Sequence, residues 1–176
     1  MASVRIVITG PESTGKSSLT IQLAKHFGGD YFEEFARSYI QNLHRPYQYE
    51  DVEIIARRQA TDFKNADNLN VPLVFFDTYL IITKVWFEVV YKTFPPWIDD
   101  ELQKSKIDLF LLCAPDLPWE RDDVRENGGE MRNWLFEEYR KNLIKYNFAF
   151  KIVDGFGEHR IRNAVSHVET YLGLLA

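Results

Sequence analysis

One stretch near the start of the chain restricts the fold more than any other, because it joins a strand, a glycine-rich turn and a helix. Residues 4–9 are rich in β-branched side chains and too few for a helix, so they predict a buried strand. The next eight residues, GPESTGKS at positions 10–17, contain the pattern GxxxxGKS. Apolar side chains then recur at helical spacing over residues 19–27. The chain is therefore expected to leave a strand, turn through a glycine loop and enter a helix.

This loop, residues 10–17, has the composition of a phosphate-binding P-loop and is called the phosphate loop below. Gly10 and Gly15 allow the backbone to curl so that successive N–H groups point into one concavity. The helix that follows directs its positive end at a bound phosphate. Lys16 is expected to reach the β- and γ-phosphates, and the Ser17 hydroxyl to bind Mg²⁺. The predicted nucleotide-binding residues of the loop are Gly10, Glu12, Ser13, Thr14, Gly15, Lys16, Ser17 and Ser18.

The composition excludes several classes of partner. A chain of 176 residues, 45% apolar and 27% charged, predicts one globular domain over residues 1–176. The net charge of −5 argues against nucleic acid and anionic membranes. The first residues lack a signal-peptide pattern and no apolar run approaches membrane-spanning length, so we expect a cytoplasmic protein. The single cysteine, Cys113, lies in an apolar run and is expected to be a buried structural thiol.

Four more apolar segments predict strands, and amphipathic segments between them predict helices. The further strands are expected near residues 31–33, 71–77, 107–113 and 148–153. Helices are expected near residues 34–43, 50–69, 79–89, 135–143 and 161–175, with Pro95 and Pro96 ending the third of them. Nearly unbroken apolar strands separated by helices predict a five-stranded parallel sheet covered on both faces. The fold class is therefore a three-layer α/β P-loop fold.

Acidic residues follow two of the predicted strands, at the sheet edge where ligands of such folds bind. Glu34 and Arg37 leave the second strand one helical turn apart, so the acid could accept a hydroxyl proton and the arginine could hold a phosphoryl group. A helix-terminal acid with a local salt bridge is the alternative. Asp77 occupies the position of a Walker B aspartate, where it could assist Mg²⁺, bind acceptor hydroxyls or act as the base.

The polar segment of residues 118–133, called the lid segment below, carries Arg121, Arg125 and Arg132. Mobile arginines that neutralise charge and exclude water suit phosphoryl transfer. A solvated charged loop is the alternative, although Trp119 is typical of stacking on a planar or cationic ring. The turn at residues 154–160 is placed to touch a nucleotide base, and a plain turn is an equal alternative.

Taken together, these motifs resemble the ribosylnicotinamide kinase domain of the NadR type, among the AAA-like P-loop kinases. The resemblance covers essentially the whole chain and rests on GPESTGKS at 10–17, EFARSY at 34–39, FDT at 76–78, and PWxxDxxR at 118–125 with Arg132 beyond. It implies ATP-dependent phosphorylation of the 5′-hydroxyl of nicotinamide riboside, giving nicotinamide mononucleotide in NAD salvage. Multifunctional members also carry an adenylyltransferase domain with an HxGH-type motif, which this chain lacks, so a stand-alone kinase is expected.

The resemblance assigns roles to particular residues. Trp119 would stack on the nicotinamide, Asp77 would lie at the ribose or at Mg²⁺ with Ser17, and Arg121, Arg125 and Arg132 would serve ATP from the lid segment. The expected catalytic residues are Lys16, Glu34, Asp77 and Arg125. The expected substrate-binding residues are Glu34, Arg37, Tyr39, Asp77, Trp119 and Asp122.

Two other functions are compatible with the same residues. A kinase for another nucleoside or a nucleoside monophosphate would share the phosphate loop, the acid after the second strand and an arginine lid. A nucleotide-dependent ATPase or switch would use the loop for conformational change and would show hydrolysis that no small acceptor accelerates. The sequence leaves open which acid is the base, whether ATP or GTP is preferred, and the oligomeric state, a homo-oligomer included.

Overall fold

A computed structural model describes residues 3–121 and 125–174 of the chain. Its centre is a five-stranded parallel sheet with the strand order β2-β3-β1-β4-β5, which confirms the predicted fold class. The strands are β1 (Val4–Thr9), β2 (Asp30–Phe32), β3 (Leu73–Asp77), β4 (Leu109–Cys113) and β5 (Phe150–Val153). Because β1 is central, the phosphate loop that follows it lies where the chain order of the sheet reverses, which is the usual ligand crevice of such sheets.

Seven α-helices connect and cover the strands in the part of the chain that the structure describes. They are α1 (Lys16–Phe27), α2 (Phe35–Gln41), α3 (Tyr49–Asn65), α4 (Leu80–Tyr91), α5 (Pro96–Lys104), α6 (Glu130–Lys145) and α7 (Gly157–Leu172). A short 3-10 turn, Ala66–Asn68, continues α3. Since every strand pair is parallel, each connection must cross over a face of the sheet, and the helices supply these crossings.

Alternating strand side chains divide the core into two hydrophobic layers. In β1, Val7 faces a cluster formed with α3, α4, α5 and α6, whereas Ile6 and Ile8 face a cluster formed with α1 and α7. In β3, Phe76 joins the first layer and Phe75 the second. Strands β1, β3 and β4 are buried along most or all of their length, which explains why their sequences are nearly unbroken in apolar residues. The edge strands β2 and β5 are more exposed.

One predicted helix end was wrong. The prolines at 95 and 96 do not close the helix before them, because α4 already ends at Tyr91, where the capping residue Lys92 has a left-handed φ of 58°. Pro96 instead opens α5, where its missing N–H costs no helical hydrogen bond. Strands β3, β4 and β5 each begin two residues later than predicted, and α7 begins at Gly157, inside the segment expected to be a turn.

Two other expectations concern single features of the chain. Cys113 is buried, and burial raises the pKa of its thiol to about 11, as expected for a structural cysteine. Within residues 3–121 and 125–174, no helix combines the length and the apolar character needed to cross a membrane.

Candidate active site

The phosphate loop adopts a conformation that depends on its two glycines. Gly10 has a φ of 147°, and a Cβ there would lie 2.7 Å from the carbonyl oxygen of Cys113, so only glycine fits between β1 and β4. Gly15 has a φ of 76° and precedes the first residue of α1. Lys16 Nζ donates a hydrogen bond to the Pro11 carbonyl oxygen at 2.9 Å, which holds the side chain across the loop.

Two acids lie beside the loop, as the strand ends predict. Asp77 ends β3, which pairs with β1 so that Asp77 lies opposite Ile8. Burial, followed by the nearby Glu34 carboxylate, raises the pKa of Asp77 to about 6, while Lys16 and the Ser17 hydroxyl act in the opposite direction. The Oδ1 atom of Asp77 is buried and has no hydrogen-bond partner among the described residues. The carboxyl group therefore keeps an unsatisfied acceptor close to the phosphate loop.

A cavity of about 550 Å³ extends from the phosphate loop. One end is lined by Gly10 and residues 12–17 of the loop, together with Ser18, Glu34 and Arg37. The other end, called the acceptor chamber below, is mainly apolar and aromatic and is lined by Ile40, Tyr47, Ile82, Trp86, Val89 and Val90. One cavity thus joins a polar end rich in backbone N–H groups to a chamber walled by rings and aliphatic side chains.

The walls of the acceptor chamber are held in place by specific contacts. The Tyr47 and Trp86 rings meet edge to face, with centroids 5.0 Å apart. The Tyr47 hydroxyl donates to Glu126 Oε2 at 3.2 Å, which ties the chamber to the lid segment. Burial raises the pKa of Tyr47 above its usual value, so this hydroxyl keeps its proton near neutral pH. The chamber therefore presents a fixed pair of rings.

A group of hydrogen-bonded polar side chains also lines the cavity. The Gln59 amide Nε2 donates to Thr78 Oγ1 at 3.2 Å, and Thr83 Oγ1 donates to Gln59 Oε1 at 2.8 Å. All three residues line the cavity. Because both ends of the amide are engaged, Gln59 has one defined orientation with one N–H and one lone pair left for a ligand.

The phosphate loop is tied to the lid segment by two of its own side chains. The Glu12 carboxylate accepts hydrogen bonds from the backbone N–H of Glu126 at 3.2 Å, from the Asn127 N–H at 3.0 Å and from Asn127 Nδ2 at 3.1 Å. The Ser13 hydroxyl accepts a bond from the Glu120 N–H at 3.1 Å. The side chains of Glu12 and Ser13 are thus occupied by the lid segment.

Arg132 differs from its predicted place in the lid. The residue lies in the first turn of α6 and is 6% exposed. Its guanidinium donates to the carbonyl oxygens of Glu12 at 3.1 Å, Leu117 at 2.9 Å and Ser13 at 3.1 Å. The structure therefore places Arg132 behind the phosphate loop as a support. Its hydrogen bonds to the three carbonyl oxygens do not favour the predicted direct contact with ATP.

The structure brings most, but not all, of the predicted site residues to the cavity. Arg125 lines it with the loop residues, Glu34 and Arg37. Trp119 is not among the described residues that line it: its ring packs on Gly128, where a Cβ would lie 3.1 Å from the indole. Tyr39 also lies elsewhere, donating to Asp51 Oδ1 at 3.0 Å. Arg121 is exposed, and Asp122 falls outside the described residues.

Several cavity residues were missed by reasoning from the sequence. Tyr47, Gln59 and Trp86 line the cavity but are not among the predicted site residues, and no local motif distinguishes them from ordinary core positions. A signal was available for Gln59 alone, because an amide at an inward-facing position of an amphipathic helix needs a polar partner. Trp86 and Tyr47 lie almost 40 residues apart in the chain, and only the fold brings them together.

A family model for the AAA domain (AAA_28) matches residues 5–160. The chain belongs to the AAA domain family. The match includes both ends of the cavity described above, from the phosphate loop to the lid segment. This AAA domain therefore carries its candidate site within the part of the sequence that defines the family.

Two curated relatives share the NadR name and confirm the resemblance read from the motifs. The trifunctional NAD biosynthesis/regulator protein NadR of Salmonella typhimurium is 25% identical over 146 residues, covering 81% of this chain and 36% of the relative. The protein of the same name from Escherichia coli is 27% identical over 150 residues, covering 80% and 37%. The AAA domain thus spans little more than a third of the length of these relatives.

A solved structure of similar fold is the crystal structure of NadR protein in complex with NR. It matches the AAA domain with a TM-score of 0.84 at 22% identity, covering 98% of this chain and 50% of that one. At this identity the similarity establishes the fold.

Proposed function

We propose that this AAA domain transfers the terminal phosphoryl group of ATP to the 5′-hydroxyl of nicotinamide riboside, forming nicotinamide mononucleotide. The names of its relatives refer to NAD biosynthesis, and a NadR structure of the same fold is a complex with NR. The observation that carries the proposal is the single cavity whose ends differ in character, with the phosphate loop at one and aromatic rings at the other. An anionic donor and an acceptor with a flat aromatic ring can lie end to end in it.

The donor would be held by the phosphate loop. The backbone N–H groups of the loop and the start of α1 would bind the phosphate oxygens. Lys16 would exchange its bond to the Pro11 carbonyl oxygen for the β- and γ-phosphates, whose charge attracts an ammonium more strongly than a neutral carbonyl does. Arg125, which lines the cavity, would neutralise charge on the transferring group.

The residues around Asp77 fit a Mg²⁺ ion. The Oδ1 atom of Asp77 is buried with no partner among the described residues, and the Ser17 hydroxyl lies close enough to shift the pKa of this carboxyl. Mg²⁺ is usually bound by one or two carboxylates and completes its shell with phosphate oxygens and water. Ser17 and Asp77 are the residues that would hold it. Bound there, the ion would offset the negative charge of the phosphates during transfer.

The acids would manage the proton of the acceptor hydroxyl. In the reaction, the 5′-oxygen forms a bond to the γ-phosphorus, the bond from that phosphorus to the bridging oxygen breaks, and ADP leaves. The hydroxyl proton must pass to a carboxylate. Glu34 lines the cavity, and Asp77 lies close enough to Glu34, Lys16 and Ser17 for these groups to shift its pKa. The pKa of Asp77, raised to about 6, leaves it ionised at neutral pH yet more basic than an ordinary aspartate.

The acceptor chamber would hold the nicotinamide ring. The ring of this riboside carries a positive charge, and aromatic faces attract cations. The Trp86 and Tyr47 rings, which line the cavity, would make this contact, and Gln59 would bond a carboxamide or a ribose hydroxyl. Stacking by Trp119, which the sequence predicts, stays a prediction, because its ring packs on Gly128.

A panel of acceptors tests the function. ADP release would be measured with nicotinamide riboside, nicotinic acid riboside, deoxyadenosine, thymidine and no acceptor, and the phosphorylated product identified by mass spectrometry. We expect nicotinamide riboside to give the highest kcat/KM and a monophosphate product. Faster turnover of a deoxynucleoside would assign the chain to another nucleoside kinase, and hydrolysis that no acceptor accelerates would assign it to the ATPase or switch class.

A further inference from the structure

Behind the phosphate loop lies a buried arginine that the proposed reaction does not use. Arg160, in the first turn of α7, is 5% exposed. Its Nη2 donates to the carbonyl oxygens of Thr14 and Ala114, each at 3.0 Å. Its Nη1 donates to Asp116 Oδ1 at 2.6 Å and to the Gly155 carbonyl oxygen at 3.0 Å. One guanidinium thus joins the phosphate loop, the segment after β4 and the turn after β5.

Asp116 fixes the orientation of this guanidinium. While its Oδ1 accepts from Arg160, its Oδ2 accepts from the Gly155 N–H at 2.7 Å, so the carboxylate bridges the arginine and the turn. Gly155 has a φ of 85°, and a Cβ there would overlap the His159 ring. The turn at residues 154–157 is therefore closely fitted around the Asp116–Arg160 pair.

The contact with Thr14 affects the direction of a loop N–H group. In a trans peptide the C=O and the following N–H point in opposite directions. When Arg160 holds the Thr14 carbonyl behind the loop, the Gly15 N–H must point to the opposite side, toward the cavity that Gly15 lines. Arg132 acts in the same way on the carbonyls of Glu12 and Ser13. Three successive carbonyls are thus held away from the cavity by two buried cations.

We propose that Arg160, oriented by Asp116, is a positioning residue for the phosphate loop. It preorganises the Gly15 N–H toward a bound phosphate and keeps the turn at residues 154–157 at a set distance from the loop. The inference rests on the proposed function only in taking ATP phosphates as the ligand of the loop. Preorganised donors cost no rearrangement when the anion arrives, which is why such a support strengthens phosphate binding.

Stability alone is a weak reason for this arrangement. A buried ion pair contributes little net stability compared with apolar side chains of similar volume, because both charges lose their hydration. Arg160 also keeps its Nε atom buried without a partner among the described residues, which is a further cost. The Asp116–Arg160 pair contacts the Thr14 carbonyl of the phosphate loop, so its effect on the conformation of the loop explains it better than its contribution to stability does.

The test compares Arg160→Lys with Arg162→Lys, an exposed arginine two residues along the same helix. Binding of ADP, inorganic tripolyphosphate and nicotinamide riboside would be measured by calorimetry at a temperature where circular dichroism shows each variant folded. We expect Arg160→Lys to lower the affinity for ADP and for tripolyphosphate about tenfold or more. The affinity for nicotinamide riboside should change less than about twofold. Arg162→Lys should leave all three affinities unchanged.

Two results would overturn the inference. One is unchanged ADP and tripolyphosphate binding by folded Arg160→Lys, and the other is an equal loss for all three ligands, as a general loosening of the fold would give. Should Arg160→Lys fail to fold, Asp116→Asn decides, since it keeps an acceptor for the Gly155 N–H but loses the charge that orients the arginine. Asp116→Asn should lower the affinity for ADP about threefold, and an unchanged affinity would refute the proposal.

The same measurements separate this inference from the proposed function. Wild-type protein that binds ADP and tripolyphosphate but phosphorylates no riboside would refute the proposed function and leave the role of Arg160 to be judged by its variant. Wild-type protein that phosphorylates nicotinamide riboside, together with an Arg160→Lys variant of unchanged ADP affinity and kcat/KM, would refute the role of Arg160 alone.

Discussion

The two ends of the cavity are built in different ways. The loop end is one continuous stretch, residues 10–17, whose backbone forms the binding surface and whose carbonyls are held from behind by Arg132 and Arg160. The acceptor chamber is assembled from side chains that lie far apart in the chain, with Tyr47 before α3 and Trp86 on α4. Local sequence is sufficient to form the first surface, whereas the second exists only when the helices pack.

This difference suggests that the two ends can be damaged separately. A change in the phosphate loop should weaken the binding of the ATP phosphates and leave the binding of the acceptor unchanged. A change in the acceptor chamber should do the reverse. Glu34 lines the cavity and Asp77 lies near Glu34, Lys16 and Ser17, so changes to these two acids should affect the chemical step more than either affinity. The predictions below test this separation, beginning with the largest expected effect.

Removing the ammonium at the loop should have the largest effect. Lys16→Ala is expected to lower kcat/KM for ATP by about 10³-fold, because the charge that follows the transferring phosphoryl group is lost. Binding of nicotinamide riboside, measured by calorimetry, should stay within about twofold of wild type because the acceptor chamber is intact. Lys25→Ala, an exposed lysine on the same helix, is the control and should have no effect. A parallel loss of acceptor binding by Lys16→Ala would refute the separation.

The raised pKa of Asp77 predicts a pH dependence of the reaction. Asp77 must be ionised to accept a proton or hold Mg²⁺, and its pKa is raised to about 6, so kcat/KM should fall about tenfold per pH unit below about pH 6. Asp77→Asn should lose roughly 10²-fold at pH 8 and should lack this acidic limb. A rate profile that keeps the limb in Asp77→Asn would assign it to another group.

The same pKa shift has a consequence for stability. A carboxyl whose pKa is higher in the folded than in the unfolded state favours folding in its protonated form, and this contribution is lost as the pH rises from about 4 to about 6. Asp77→Asn should therefore raise the free energy of unfolding by about 1–3 kcal/mol at pH 7 and by less at pH 4. Urea denaturation at both pH values measures the difference. Equal effects at the two pH values would contradict the raised pKa.

A change in the acceptor chamber should have an intermediate effect on one substrate. Trp86→Ala is expected to raise the KM for nicotinamide riboside about tenfold through loss of ring stacking, with the KM for ATP unchanged. Trp134→Ala is a matched control, since Trp134 lies on α6 and is 46% exposed. Steady-state kinetics with each substrate varied in turn gives both constants. An increase in the KM for ATP of the same size would place Trp86 outside the acceptor site.

The smallest effect on the KM for nicotinamide riboside is expected from replacing Trp119, the residue for which the sequence predicts a stacking role. Trp119 packs on Gly128 in the lid segment, so Trp119→Ala should raise the KM for nicotinamide riboside by less than Trp86→Ala does, by about twofold to threefold. Measuring the two variants side by side decides between the rings. If Trp119→Ala has the larger effect on the acceptor and leaves ATP unchanged, the stacking role that the sequence predicts for Trp119 is correct.

Much of the fold could be predicted because its signals are local. Runs of apolar residues such as VRIVIT and LFLLC predict the strands, and the helical spacing of apolar residues after the phosphate loop predicts α1. The helix α5 could not be predicted in this way, since Pro95 and Pro96 are compatible with the end of one helix and the start of another. The left-handed φ of Lys92 ends α4 before the prolines. It depends on packing, and no glycine at this position marks the helix end in the sequence.

The site divides along the same line. The residues from Gly10 to Ser18, with Glu34 and Asp77, could be named in advance, because a motif or a strand end places each of them. The sequence alone also predicted a phosphate-binding loop at the end of β1, since glycine spacing and helix direction depend on neighbouring residues.

Only the tertiary structure decided which aromatic rings face the cavity and which arginines support the loop. Trp86 and Tyr47 meet, Trp119 turns onto Gly128, and Arg132 and Arg160 reach the loop carbonyls from helices more than a hundred residues away. The direction of a long side chain depends on the packing of every helix around it, and a linear pattern carries no information about that packing beyond the nearest turns.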